Sequence, residues 1–197
     1  MRLPPHIAAT ALGATLVAAA PAQASGVFTI DFEDQTPLTF VSNPLIYPYA
    51  TFTSGGAGLF IADTNTNGLC PSTGIDCSAS LTVDFVPAPI YFAADVSFTV
   101  TGDHAAGLTG QVEVWRAGVL VGVADILTDG IFASLDLVDL TSFGEINRLV
   151  ITSTDLGGFS YDNFNFNIIV VDFPVPAPAT LALFGLGLAG LGLARRR

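Results

Sequence analysis

Residues 111–121 read Gln-Val-Glu-Val-Trp-Arg-Ala-Gly-Val-Leu-Val. Up to Trp115 polar or aromatic side chains alternate with valines, the period of two that puts successive residues on opposite faces of a strand. Ala117-Gly118 then interrupts the pattern, and an apolar run resumes. Glycine adopts positive φ without steric cost, so the pair closes a short hairpin. Gln111, Glu113 and Trp115 share one face of the first strand, and Val112 and Val114 share the other.

The same signal recurs on both sides of this hairpin. Short runs rich in Val, Ile, Phe and Thr are separated by Gly, Asn, Asp and Pro. Strands are expected at 27–33, 38–42, 50–53, 59–62, 80–85, 91–100, 110–116, 119–127, 131–137, 148–153 and 160–171. Asn43-Pro44 and Pro87-Ala88-Pro89 mark loops. No heptad or helical period competes. So many strands in about 150 residues predict an all-β body over 25–173, an antiparallel β-sandwich of jelly-roll-like form. A β-solenoid is the alternative, but no repeat supports it.

The chain has 197 residues, 51% of them hydrophobic, and a formal net charge of −11. It contains no lysine. Four of its six arginines sit at the extreme ends, which leaves Arg116 and Arg148 in the body against all 17 acids. Nucleic acid and anionic lipid both require a basic surface, so neither is an expected partner.

The hydrophobicity concentrates at the termini. Met1–Ala24 has a short region carrying Arg2, an apolar run Ile7–Ala20, a proline and the triplet Ala22-Gln23-Ala24. This is the pattern of a secretory signal peptide over 1–24, cleaved between Ala24 and Ser25. At the other end, Val175-Pro176-Ala177-Pro178 precedes the uncharged stretch 179–194 and the cluster Arg195, Arg196, Arg197. As a helix those 16 residues would span ~24 Å, just short of the ~30 Å hydrocarbon core. The arginines should stay in the cytoplasm. With the signal peptide sending the body across, the chain is expected to sit transiently in the inner membrane.

This tail, residues 174–197, resembles the PEP-CTERM sorting signal of Gram-negative bacteria. The matching parts are Val175-Pro176-Ala177-Pro178, the apolar helix and the three terminal arginines. The family's usual glutamate between the prolines is Ala177 here. The resemblance implies processing by an exosortase near the signature. It also implies association with exopolysaccharide and biofilm matrix at the cell surface. It covers only the tail and assigns no activity to the body.

Export implies an oxidising compartment, so Cys70 and Cys77 are expected to pair across the loop Cys-Pro-Ser-Thr-Gly-Ile-Asp-Cys. Catalytic patterns are absent from the sequence. There is no Gly-x-Ser-x-Gly, no His-Glu-x-x-His and no phosphate loop. After signal removal one histidine remains, His104 beside Asp103, and it reads as a solvated turn residue. The expected role is therefore non-catalytic: an exported surface or matrix component. A calcium-dependent carbohydrate-binding module is the alternative, and a secreted hydrolase with paired carboxylates the third reading.

Two surfaces carry the alternative. In the first strand Phe28, Ile30 and Phe32 should face the core, with Asp31 and Glu33 opposite. In the last, Phe164, Phe166 and Ile168 should face inward, and alternation puts Asp162 on that same face. A buried carboxylate needs a partner. Asp162 with Asp31, Glu33 or Asp34 is the expected Ca²⁺ set. The opening and closing strands resemble those of many bacterial carbohydrate-binding jelly rolls, and that likeness implies terminal strands side by side that share a structural calcium. Asp162 capping backbone amides is the competing reading. The second surface is Trp115 with Glu113, echoed by Tyr161 on the last strand, a flat aromatic beside polar groups that suits a sugar ring. Trp115 as a packing residue is its competitor. Residues 63–68, Asp-Thr-Asn-Thr-Asn-Gly, imitate the front of an EF-hand loop but have Gly74 where its glutamate belongs, so they read as a polar turn.

Overall fold

The long strands pair far across the sequence. A computed structural model describes residues 26–74, 76–85, 91–102 and 105–170. In chain order the strands are β1 (Val27–Ile30), β2 (Phe40–Val41), β3 (Leu45–Tyr47), β4 (Ala50–Ser54), β5 (Gly58–Asp63), β6 (Asn67–Ser72) and β7 (Leu81–Phe85). They continue as β8 (Tyr91–Thr101), β9 (Ala106–Arg116), β10 (Val119–Asp129), β11 (Asp136–Asp139), β12 (Arg148–Ser153) and β13 (Ser160–Val170). One sheet runs β11-β8-β13-β6-β5-β2, with β1 also on β13, and the other runs β10-β9-β12-β7-β4-β3. Every strand pair in both sheets is antiparallel. This is a two-sheet all-β body consistent with a β-sandwich, and the solenoid alternative falls.

The core is apolar and aromatic. Phe164 of β13 lies 5.0 Å from Phe98 on β8 and 5.1 Å from Phe52 on β4. Because β4 belongs to the opposite sheet, this aromatic trio joins the two layers. Phe32 packs edge-on to Phe52 at 5.2 Å. All buried members of the core cluster fall between Ile30 and Ile168, so the body closes its own interior.

The hairpin at Ala117-Gly118 forms as read, with Val119 opposite Arg116 and Leu120 opposite Trp115. Elsewhere the boundaries move for local reasons. β1 stops at Ile30 because the Asp31 carboxylate accepts the Glu33 N–H at 3.2 Å, an Asx turn, and Phe32 takes a positive φ of 57°. The strand expected at 131–137 shifts to Asp136–Asp139. Asp129 accepts both the Ile131 N–H and the Ser134 hydroxyl at 2.8 Å, holding that stretch as a turn. β3 and β6 were not legible. β6 is Asn-Gly-Leu-Cys-Pro-Ser, without alternation and rich in turn formers, and five of its six residues are buried. Its pairing with β5 over its whole length makes it a strand. Residues 64–66 form the turn between the two, with Asn65 at φ 86°, as the polar-turn reading expects.

Candidate functional site

Asp162 occupies an irregularity in β13. Opposite β8, the register runs Tyr161 to Val100 and Asp162 to Thr99, then jumps so that Asn165 faces Ser97. Asn163 sits at φ 50°. The extra residue reverses the inward parity of the strand. Phe164 and Phe166 point inward as expected, but so does Tyr161. Asp162, across from the half-buried Thr99, takes the outer face. The expectation that Asp162 shares the inward face is therefore corrected.

Asp162 is nonetheless only 1% exposed. Burial raises its pKa above the ordinary carboxylate value, the Thr66 hydroxyl and the Asn163 amide oppose that, and the charges of Glu33 and Asp31 add to the rise. Its Oδ1 accepts the Asn163 N–H at 2.7 Å. The Thr66 hydroxyl lies close enough to favour the carboxylate, but outside normal hydrogen-bond geometry, and both Thr64 and Thr66 hydroxyls are buried without a partner among the described residues. Glu33 Oε1 is turned to the Asn67 N–H at 3.0 Å. Asp34 is turned away altogether and accepts the Tyr47 hydroxyl. Tyr47 also packs on Phe32, which fixes its ring as a core residue.

The proposed calcium set is thus only partly assembled. Asp31 and Glu33 stand near Asp162, and Asp34 does not. Among the described residues no three His, Cys, Asp or Glu side chains converge closely enough to hold a metal ion. The geometry favours the competing reading, a carboxylate that caps the backbone of the irregular strand.

Tyr161 is a second correction. It is fully buried, 5.3 Å from Phe159 and 6.0 Å from Phe98. Its hydroxyl has no partner among the described residues, and burial pushes its pKa up. It forms no part of a ligand surface.

Trp115 keeps its place. Val112 and Val114 are fully buried, and Glu113 and Trp115 lie half-buried on the opposite face. The indole N–H donates to Glu113 Oε2 at 3.1 Å, which fixes the ring. Arg148 of β12 sits directly opposite Trp115 on one side and directly opposite Asp84 of β7 on the other. Asp84, Arg148 and Trp115 therefore form a row across three adjacent strands on one outer face. Arg148 Nε donates to Asp84 Oδ1 at 2.6 Å. That hydrogen bond, with the charge of Asp84 behind it, holds the guanidinium pKa above its ordinary value. Asn147 joins by accepting the Ala117 N–H at 2.9 Å. Asp84, Trp115, Gly118, Asn147 and Arg148 line a recess of ≈ 280 Å³. Sequence reasoning found Trp115 and Glu113 but not Asp84, Asn147 or Arg148. Their strands are remote in sequence, and only the sheet order brings them together.

Cys70 and Cys77 are disulfide-bonded, as export implied. They line a shallow second recess of ≈ 240 Å³ with Phe40 and Phe60. The residues of the expected signal-peptide cleavage site, Ala22, Ala24 and Ser25, the signature Val175–Pro178, the helix expected over 179–194, Arg195–Arg197, and His104 with Asp103 lie outside the described residues. Among those described, no helix is long and apolar enough to cross a membrane.

Residues 174–197 match the PEP-CTERM protein-sorting motif. The tail is therefore a sorting signal, and the chain is an exported protein sorted at the membrane with exosortase as its processing partner. No curated protein matches the chain in sequence. Among solved structures it is similar to a family two carbohydrate esterase from Cellvibrio japonicus, at 14% identity and a TM-score of 0.40. That match covers 78% of this chain but 36% of the esterase chain, so this chain spans about a third of that protein's length.

Proposed function

We propose that this chain is a non-catalytic component of the cell surface or extracellular matrix. The signal peptide exports the body, and the apolar tail holds it transiently in the inner membrane. Exosortase then processes the tail near Pro176–Pro178, and the jelly-roll-like sandwich remains outside as a structural or adhesive element beside exopolysaccharide. The observation that carries this reading is the sorting motif at residues 174–197, joined to a body that closes its own core. A disulfide suits the compartment.

The test follows the chain in a host with and without its exosortase, using a tag inserted after Ser25. The expected product is a shortened body in the surface or matrix fraction, replaced by the full-length membrane form when exosortase is absent. A body of unchanged mass in the inner membrane of both hosts would sink the reading. A second reading, a carbohydrate-binding module, draws its support from the row Asp84–Arg148–Trp115.

A further inference from the structure

We infer that the recess between β7, β12 and β9 binds one ring of a neutral hexose polysaccharide, with Trp115 as its platform. The inference rests on the carbohydrate-binding reading above and gives it a site and a ligand class.

Three features converge. The Trp115 ring is fixed before any ligand arrives, because its N–H is held by Glu113 at 3.1 Å. A preorganised flat aromatic offers apolar area to the C–H face of a pyranose. Next to it stands a ready donor–acceptor pair. Arg148 uses Nε on Asp84, and its Nη groups have no partner among the described residues. The second oxygen of Asp84 is likewise open there. A sugar's vicinal hydroxyls can accept from Arg148 Nη and donate to Asp84 Oδ2 at once. The Asn147 side-chain amide, whose oxygen holds the Ala117 N–H, leaves its NH₂ for a further hydroxyl. The wall at Gly118 is open, since a side chain there would meet nothing within 4 Å.

Size and charge choose the ligand. A recess of ≈ 280 Å³ falls just below the ~300–1,000 Å³ range of small-molecule sites, which suits one ring of a chain passing over the surface rather than a whole oligosaccharide. The Asp84–Arg148 pair is neutral as a unit. Glu113 leaves the locus negative, on a body with two arginines against 17 acids. A uronate or sulfated sugar would be repelled, and a neutral hexose would not.

Trp115 is the sole tryptophan of the chain, so its fluorescence reports the site directly. Residues 25–173, which hold both sheets and the whole core, would be titrated with β-1,4-glucotetraose, β-1,3-glucotetraose and β-1,4-mannotetraose, and with tetragalacturonate. The expected result is a saturable emission change with at least one neutral oligosaccharide, and binding weaker by about tenfold or more for the uronate. Retention on a resin bearing the bound sugar should be lost in Trp115→Ala and weakened in Arg148→Gln, both checked as folded by circular dichroism. No saturable response to any neutral oligosaccharide would overturn the site. So would retention that survives both substitutions in folded protein, or preference for the uronate. None of these outcomes touches the sorting and surface placement, which the exosortase experiment decides separately.

Discussion

The Asp162 carboxylate accepts the N–H of Asn163 at 2.7 Å, clasping the backbone where β13 breaks register. The Asn163 side-chain NH₂ donates to the other oxygen, Oδ2, at 3.1 Å, so both oxygens of this nearly inaccessible carboxylate are held by one residue, beside Asp31 and Glu33. Burial raises its folded pKa above the unfolded value, with the acidic neighbours adding to the shift. The folded state therefore holds the proton more tightly than the unfolded chain. Stability from this group is fully present below the unfolded pKa and falls as pH rises through the folded pKa. Asp162→Asn keeps an acceptor oxygen for the Asn163 N–H, gives up the bond from the Asn163 NH₂ and removes the charge. It should raise Tm at pH 7, and the gain should vanish below the ordinary aspartate range. Thermal melts of both proteins from pH 3 to 7 check this. Equal Tm at every pH would refute it. A calcium-dependent Tm rise that only the parent protein shows would mean that the corner takes a cation after all.

Tyr161 presents the opposite case, a buried group whose hydroxyl has no described partner. A buried polar atom without a hydrogen bond costs roughly 1–3 kcal/mol. Tyr161→Phe keeps the ring against Phe159 and Phe98 and removes the hydroxyl. It should leave stability unchanged or raise it by up to about 1 kcal/mol, read from urea denaturation. A loss of comparable size would show that the hydroxyl has a partner.

Gly158 faces the backbone of Cys77. A methyl group there would lie 2.2 Å from the Cys77 carbonyl carbon and 2.3 Å from its oxygen, and Gly158 has φ +66°. Strain and collision act together, and the obstacle is main chain that cannot rotate aside. Gly158→Ala should cost about 2–4 kcal/mol. Gly118→Ala is the control. It shares a positive φ of 79° but meets nothing within 4 Å, so its cost should be near 1 kcal/mol. Equal losses would contradict the contact.

Cys70 and Cys77 close a short loop, with a sequence separation of 7. The chain-entropy relation gives roughly 2.5 kcal/mol for a loop of this size. The Cys77 N–H also donates to the Gly157 carbonyl at 3.2 Å, tying the loop to the chain before β13. The Cys70→Ser, Cys77→Ser double variant should fold and melt lower, losing about 2–3 kcal/mol. Failure to fold would show that the bridge staples more than its own loop.

Phe164 joins both layers, so its loss should be the largest among single aliphatic or aromatic truncations. Phe164→Ala should cost about 3–5 kcal/mol. Val123→Lys on the exposed face of β10 should stay within about 0.5 kcal/mol. Denaturant midpoints of the two variants give the comparison directly.

By itself, the sequence determined the class of the protein. Period-two runs punctuated by glycine and asparagine require antiparallel strands. A terminal pattern of prolines, apolar residues and arginines is local by nature, so it is readable without a fold. The Trp115 face was legible too, because Val112 and Val114 alternate with it without interruption. Tertiary structure alone decided the rest. β6 became a strand through its neighbours, against its own composition. One extra residue at Asn163 turned Tyr161 into the core and Asp162 out of it, and strict alternation contains no signal for such an insertion. Asp84 and Arg148 reached Trp115 because β12 lies between β7 and β9. That order is set by packing two apolar faces together, a long-range energy that no short window of residues encodes.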